Sequence, residues 1–142
     1  MTDYSMELSS GIAAFEGKNF AKALQLLSPV ADAGDVDAQY RMAIMYQNGL
    51  GTAKNEEQAA HWMKKAADQG FALAQHGMGF MYFHGECVAK DEKQALHWFQ
   101  LASEQDLSGS MMMIGMMYEQ GLGVEQDAEQ AKDWYEKAEQ VS

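Results

Sequence analysis

Apolar residues recur along this chain at the spacing of one face of a helix. Between residues 74 and 85, the apolar or small positions follow an i, i+4, i+7, i+8, i+11 rhythm. These positions are Ala74, Met78, Met81, Tyr82 and Gly85. A loop containing glycine comes next, and a second helical pattern begins after it. The hydrophobic pattern therefore predicts helix–loop–helix units and an all-α fold.

The helical pattern repeats with a period of 36 residues. Five columns keep this spacing in three successive copies: Tyr46, Tyr82 and Tyr118; Trp62, Trp98 and Trp134; Gly49, Gly85 and Gly121; Ala59, Ala95 and Ala131; and Ala66, Ala102 and Ala138. In each copy, the small alanines allow two helices to approach closely, while the tryptophan fills the space between them. Five columns in one register indicate true repeats.

The loops and the helix starts that follow them share one chemistry. The loops read "NGLGTAKN", "HGECVAKD" and "QGLGVEQD", and their glycines permit the left-handed backbone that ends many helices. Each next helix places an Asn or Asp three residues before a Gln, close to a capping box. The pairs are Asn55 and Gln58, Asp91 and Gln94, and Asp127 and Gln130.

These motifs resemble the Sel1-like repeat, in the tetratricopeptide-like superfamily. "AQYRMAIMYQNGLGTAKNEEQAAHWMKKAADQG" carries the whole pattern, and the two copies after it are similar throughout. The opening stretch resembles a plain tetratricopeptide repeat with a shorter turn at Gly17-Lys18-Asn19. Its matching positions are Gly11, Ala14, Phe20, Ala23, Leu27 and Val30.

The resemblance implies an α/α solenoid of four helix-turn-helix repeats that forms a right-handed superhelix with a concave inner face. We expect one domain over residues 1–142, with repeats at 1–36, 37–72, 73–108 and 109–142. The last repeat places Lys132 and Glu139 where earlier copies have apolar or small residues, which predicts a carboxy-terminal cap.

Charge and composition limit which partners and which cellular location the chain is expected to have. Ten basic residues against twenty-one acidic ones give a net charge of −11, which repels nucleic acid and favours cationic partners. No apolar run reaches the ~20 residues of a membrane helix, and the first residues lack the pattern of a secretory signal. Cys87 is the only cysteine, so no intramolecular disulfide can form. Together these features predict a cytoplasmic protein.

The first helix of each helix–loop–helix repeat, called a first helix below, supplies the candidate binding groove. The tetratricopeptide resemblance implies thirteen groove positions: Leu8, Ile12, Phe15, Tyr40, Ile44, Gln47, His76, Phe80, Phe83, His84, Met112, Met116 and Glu119. Most are apolar or aromatic, which is typical of binding surfaces, and Glu16 and Glu119 form an acidic rim. We expect a partner polypeptide with apolar and basic side chains. The alternatives are a homodimer through the same groove, or burial of Ile44, Phe80 and Met116 between repeats.

Metal binding and catalysis are the remaining classes of function to consider. His84 and Cys87 lie three residues apart, with His76 two turns earlier, but a structural zinc site needs four ligands. Some cysteine-rich relatives among Sel1-like proteins are linked to β-lactam binding or hydrolysis. This chain lacks their paired cysteines and contains no Ser-x-x-Lys motif. We therefore expect neither a cofactor nor a metal, and a binding module rather than an enzyme.

Overall fold

The computed structural model describes residues 3–142, which form eight helices. They are α1 (Ser5–Glu16), α2 (Phe20–Asp32), α3 (Val36–Asn48), α4 (Glu56–Asp68), α5 (Ala72–His84), α6 (Glu92–Ser103), α7 (Ser108–Gln120) and α8 (Ala128–Val141). The chain divides into two compact units, Met1–Gln69 with α1–α4 and Gly70–Ser142 with α5–α8. Within residues 3–142, no helix combines the length and hydrophobicity needed to cross a bilayer.

The helix ends follow the local chemistry of the sequence. Asn55 Oδ1 accepts a hydrogen bond from the Gln58 N–H at 3.0 Å, and Asp91 and Asp127 cap α6 and α8 in the same way. The first helices α3, α5 and α7 end at three left-handed glycines with φ of 65°, 68° and 69°. The predicted helix starts and glycine ends are therefore confirmed.

The loop within the first helix pair is shorter than the loops within the later pairs, as predicted. Only Gly17, Lys18 and Asn19 join α1 to α2, whereas seven residues separate the helices of each later pair. Helices α3, α5 and α7 begin at residues 36, 72 and 108, one residue before the predicted repeat boundaries. The shorter first turn is confirmed.

In three of the four helix pairs, a glycine on the first helix faces a large residue on the second. A Cβ built at Gly79 of α5 would lie 2.6 Å from the ring of Phe99 on α6, so glycine is required for this close approach. Gly115 faces Tyr135 in the same way, and Gly11 faces Leu27. Phe99 is fully buried by this packing and sits in the core of the second unit.

The two cores are built from aliphatic, methionine and tryptophan side chains. In the first unit the largest buried side chains are Leu27, Val30, Met42, Met45, Trp62 and Met63. In the second unit they are Met78, Met81, Trp98, Phe99, Met111, Ile114 and Met117. Trp134 of the last repeat is more exposed than the equivalent Trp62 and Trp98. The predicted inward-facing alanines, Ala59, Ala66, Ala95 and Ala102, are fully buried.

Candidate functional site

Each predicted groove residue keeps part of its surface exposed. The structure places Leu8, Ile12, Phe15, Tyr40, Ile44 and Gln47 on α1 and α3 of the first unit. It places His76, Phe80, Phe83, His84, Met112, Met116 and Glu119 on α5 and α7 of the second unit. Complete burial of Ile44, Phe80 and Met116, the alternative considered above, is not observed.

The face of the first unit is organised by the only arginine of the chain. The Arg41 guanidinium carbon lies 4.8 Å from the centre of the Phe15 ring, a cation–π contact between α3 and α1. Arg41 Nε donates to Asp37 Oδ1 at 2.6 Å, and its Nη2 lies 4.0 Å from Glu16 Oε1. Glu16, predicted as an acidic rim residue, therefore already has a cationic neighbour within the chain.

Sequence reasoning did not identify this network. The signal was present in the spacing, because Asp37 and Arg41 stand four residues apart, where side chains meet on a helix. Burial raises the pKa of Tyr40, the half-buried neighbour of Arg41 on α3. The first unit thus presents apolar groove residues beside a charge cluster that is satisfied internally.

The predicted groove residues of the second unit are more exposed than those of the first unit, and fewer charged side chains lie beside them. Phe80 on α5 is 39 % exposed and Met112 on α7 is 50 % exposed. Leu73, which lies two turns before Phe80 on α5, is 46 % exposed and was not among the predicted groove residues. The i, i+7 spacing of Leu73 and Phe80 could have revealed it, because both lie on one side of the helix.

Aromatic rings cluster at the carboxyl end of α5. The ring centres of Phe80 and His84 are 4.3 Å apart, and those of Phe83 and His84 are 5.0 Å apart with an interplanar angle of 80°. Phe83 also packs against the buried core of the second unit. The exposed Phe80 ring therefore contacts His84, which in turn contacts the half-buried Phe83.

His76 links the two first helices of this unit. Its Nδ1 lies 2.7 Å from the hydroxyl oxygen of Ser110 on α7, and its ring packs 5.2 Å from the Phe99 ring. Ser110 is fully buried, and burial lowers the pKa of His76. His76 therefore contributes to helix packing, and its predicted place in the groove stays a prediction.

The carboxyl end of α7 is acidic. Glu119 is exposed and accepts a 3.5 Å hydrogen bond from the Tyr135 hydroxyl of α8. Burial, followed by the proximity of Glu119, raises the pKa of Tyr135. A shallow pocket of about 240 Å³ lies here, lined by Glu119, Tyr135, Lys132, Glu136 and Glu139 together with two alanines of α8. Three carboxylates and one ammonium group thus surround this pocket.

The geometry bears on metal binding and nucleophilic chemistry as well. In the part of the chain that the structure describes, no three His, Cys, Asp or Glu side chains are grouped as metal ligands. Cys87 is half-buried in the loop between α5 and α6. The side chains that the fold brings together are thus apolar and aromatic groups beside carboxylates, an arrangement suited to binding.

Comparison with known proteins identifies a matching family and similar solved structures. The Sel1 repeat model matches residues 3–35, 36–71, 72–107 and 108–140, so the first match includes the stretch that resembles a plain tetratricopeptide repeat. The structure is similar to a Sel1 repeat protein from Oxalobacter formigenes, with a TM-score of 0.88 and 31% identity over 96% of this chain and 54% of that chain. No match was found among curated proteins.

Two further structures are similar. A protective antigen of uropathogenic Escherichia coli with an SLR fold gives a TM-score of 0.92 and 30% identity, covering 96% of this chain and 30% of that chain. Helicobacter pylori cysteine rich protein B, with a TM-score of 0.67 and 19% identity over 87% of this chain and 89% of that chain, shares the fold. The chain spans about half of the first relative and less than a third of the second. Its four matched repeats show that it belongs to the Sel1 repeat family.

Proposed function

We propose that this chain is a protein–protein interaction module that binds a segment of another polypeptide on the exposed faces of its first helices. The α5–α7 face of the second unit is the principal site in this proposal. The supporting observation is that three large apolar side chains, Leu73, Phe80 and Met112, are exposed on these two helices. Sel1 repeat proteins generally act as protein–protein interaction modules within a family of non-catalytic scaffolds.

The physical case rests on desolvation. Full burial of a large apolar side chain stabilises a complex by about 1.5–3 kcal/mol. Leu73, Phe80 and Met112 are about half exposed, so covering all three contributes about 3 kcal/mol. Micromolar affinity needs about 8 kcal/mol, so a partner must gain the rest from further contacts. Methionine suits such a face, because its flexible side chain adapts to different partners.

Charge weighs against self-association through the same face. The second unit contains four lysines and twelve acidic residues. Two copies that approach through this unit therefore repel each other, whereas a cationic segment is attracted. Sedimentation velocity at tens of micromolar separates the cases, because a partner-binding module sediments as a monomer and a dimer through α5 and α7 does not.

The test uses 12-residue peptides selected from a random display library against the full chain. Substituting Phe80→Ala together with Met112→Ala is expected to weaken the selected peptides at least tenfold in fluorescence polarisation. The matched control is Met6→Ala with Val141→Ala, which removes two other exposed apolar side chains, 79 % and 40 % exposed.

Both double variants should keep the circular dichroism spectrum of the parent. Phe80 and Val141 are only 39 % and 40 % exposed, so each double variant loses some buried apolar surface and should melt at a lower temperature. Peptide affinity is therefore measured well below the melting temperature of each variant. Equal peptide affinity for the two double variants, or a failure to select any peptide, would refute the proposal.

A further inference from the structure

The two units differ in what fills the seam between their first helices. In the first unit, Arg41 fills the seam between α3 and α1 by lying over Phe15 and pairing with Asp37 and Glu16. A cation of the chain itself therefore occupies this seam. A basic side chain of a partner would have to displace Arg41 before it could bind there.

In the second unit, the equivalent positions carry no acidic or permanently cationic side chain. The 36-residue period places Met113 at the Arg41 position and Gly109 at the Asp37 position. Gly11 and Gly79 both face a large residue of the following helix, and this match places Phe83 at the Phe15 position. The same alignment replaces Glu16 with His84, so the seam keeps its ring and loses its carboxylates and its guanidinium group.

An apolar stripe on α7 leads to the acidic pocket. Met112, Met116 and Glu119 stand at i, i+4 and i+7, so they form one stripe along α7. His76 approaches Ser110 near the amino ends of α5 and α7, while Phe83 and Met113 pack on one core cluster further along both helices. The two helices therefore run side by side in the same direction, and α7 ends at the acidic pocket.

Resting on the proposed function, we infer that the second unit has a two-part site for a segment in which apolar residues are followed by lysine or arginine. The apolar block covers Leu73, Phe80 and Met112, and the basic block meets Glu119, Glu136 and Glu139. Helix α5 carries no Asp, Glu, Lys or Arg, and Glu119 is the single such residue of α7, so the charge lies at one end of the site. The negative end of the α7 dipole adds to it.

The dimensions set the length of the segment. Seven residues of helix separate Met112 from Glu119, about 10 Å along α7 at 1.5 Å per residue. An extended chain covers that distance in about three residues. Three or four apolar residues therefore precede the basic ones, and alternation of the two kinds would place charges against Leu73, Phe80 and Met112.

The inference is tested with four synthetic fluorescent peptides and the full chain. One peptide has four Leu or Phe residues followed by four Lys or Arg residues, and the second has the same residues in alternation. The third replaces the basic block with Glu, and the fourth replaces it with Ser. We expect the first peptide to bind at least tenfold more tightly than the second and third, with an affinity that falls as salt rises.

The variant that tests the acidic end is Glu119→Gln, Glu136→Gln and Glu139→Gln combined. It should weaken the first peptide about tenfold, flatten its salt dependence and leave the Ser peptide unchanged. The matched control is Glu104→Gln, Glu125→Gln and Glu129→Gln combined, which removes three exposed carboxylates of the same unit that do not line this pocket. This control should bind the first peptide within about twofold of the parent.

The outcomes separate the inference from the proposed function. Equal affinity for the block and alternating peptides, or equal losses in the two triple variants, would overturn the inference. So would a failure of the block peptide to bind. The proposed function would still stand in each case if library-selected peptides lose affinity with Phe80→Ala and Met112→Ala.

Discussion

At the scale of single residues, one loop column shows how a backbone conformation constrains a side chain. Gly51, Cys87 and Gly123 occupy the same place in successive repeats, and all have φ between 67° and 74°. A Cβ at Gly123 would lie 2.9 Å from the backbone of Glu92 on α6, and at Gly51 it would lie 2.4 Å from that of Phe20 on α2. Cys87 thus adopts a left-handed backbone that its neighbours in the column leave to glycine.

We predict that Cys87→Gly stabilises the chain by up to about 1 kcal/mol, because glycine adopts this backbone without the steric cost of a Cβ. The opposite change in the same column, Gly123→Ala, should destabilise it by about 2 kcal/mol or more, since the added Cβ meets backbone atoms. Urea unfolding measures both variants. A loss of stability in Cys87→Gly would contradict the strain argument.

A second residue effect concerns pH. His76 has its pKa lowered by burial, and its ring is held between Ser110 and Phe99. The unfolded chain, with a pKa near the ordinary 6.5, therefore binds a proton at a higher pH than the folded chain does. Stability is full above the unfolded pKa and falls as pH drops below it.

We predict that the free energy of unfolding decreases as the pH falls from 7.5 towards 5, with a contribution from His76 of at most about 1.4 kcal/mol per pH unit. His76→Gln should lose this contribution, because glutamine does not titrate. The measurement is urea unfolding at several pH values. Coincident pH profiles for the parent and His76→Gln would show that His76 does not contribute.

At the scale of helices, paired glutamines join the two helices of one repeat and also bond to the end of the preceding helix pair. Gln69, just after α4, donates to Gln39 Oε1 at 2.8 Å and to the Gly34 carbonyl at 3.2 Å. Gln105, just after α6, makes the same bonds to Gln75 and to the Gly70 carbonyl. Gln39 and Gln75 are buried, so these bonds satisfy polar groups that water cannot reach.

The last repeat replaces both members of the pair together. Met111 stands at the Gln75 position and Val141 at the Gln105 position, and Met111 is buried. An apolar pair thus occupies the place of the hydrogen-bonded pair. This is physically consistent, because removing both partners leaves no buried group unsatisfied.

We predict that Gln105→Ala costs about 1–2 kcal/mol of stability, since it leaves the buried Gln75 oxygen without this donor. Gln94→Ala, at an exposed position in the first turn of α6, should cost less than about 0.5 kcal/mol. The double variant Gln75→Met with Gln105→Val, which copies the last repeat, should recover most of the loss. Urea unfolding measures the free energy of unfolding of each variant. A double variant as unstable as Gln105→Ala would contradict the argument that the two glutamines act as a pair.

At the scale of the whole molecule, charge is divided unequally. The net charge of −11 separates into −3 for residues 1–69 and −8 for residues 70–142. The more acidic unit also has the more exposed apolar face and contains no arginine. A cationic segment is therefore attracted mainly to the second unit, whose exposed apolar side chains have no cation of the chain over them. Salt should weaken that attraction.

The amino-acid sequence by itself determined the family, the helix pairs and the helix ends. These depend on signals within one repeat: the 36-residue period, the Asn and Asp caps, and the left-handed glycines. Such signals act between residues close in the chain, so they can be read before the chain is folded. The thirteen groove positions were implied by the resemblance to tetratricopeptide repeats, and their role in binding stays a prediction.

Only the tertiary structure decided which parts of the first-helix faces stay open. Arg41 covers Phe15, His76 bonds to Ser110, and Leu73 stays exposed beside Phe80. The first two contacts join residues that are 26 and 34 positions apart in the sequence. A repeat pattern predicts which side of a first helix packs on the second helix of the same repeat. The exposure of a side chain on the other sides depends on which side chains the neighbouring repeats place beside it. That is why a charge cluster and an apolar seam could arise from equivalent positions.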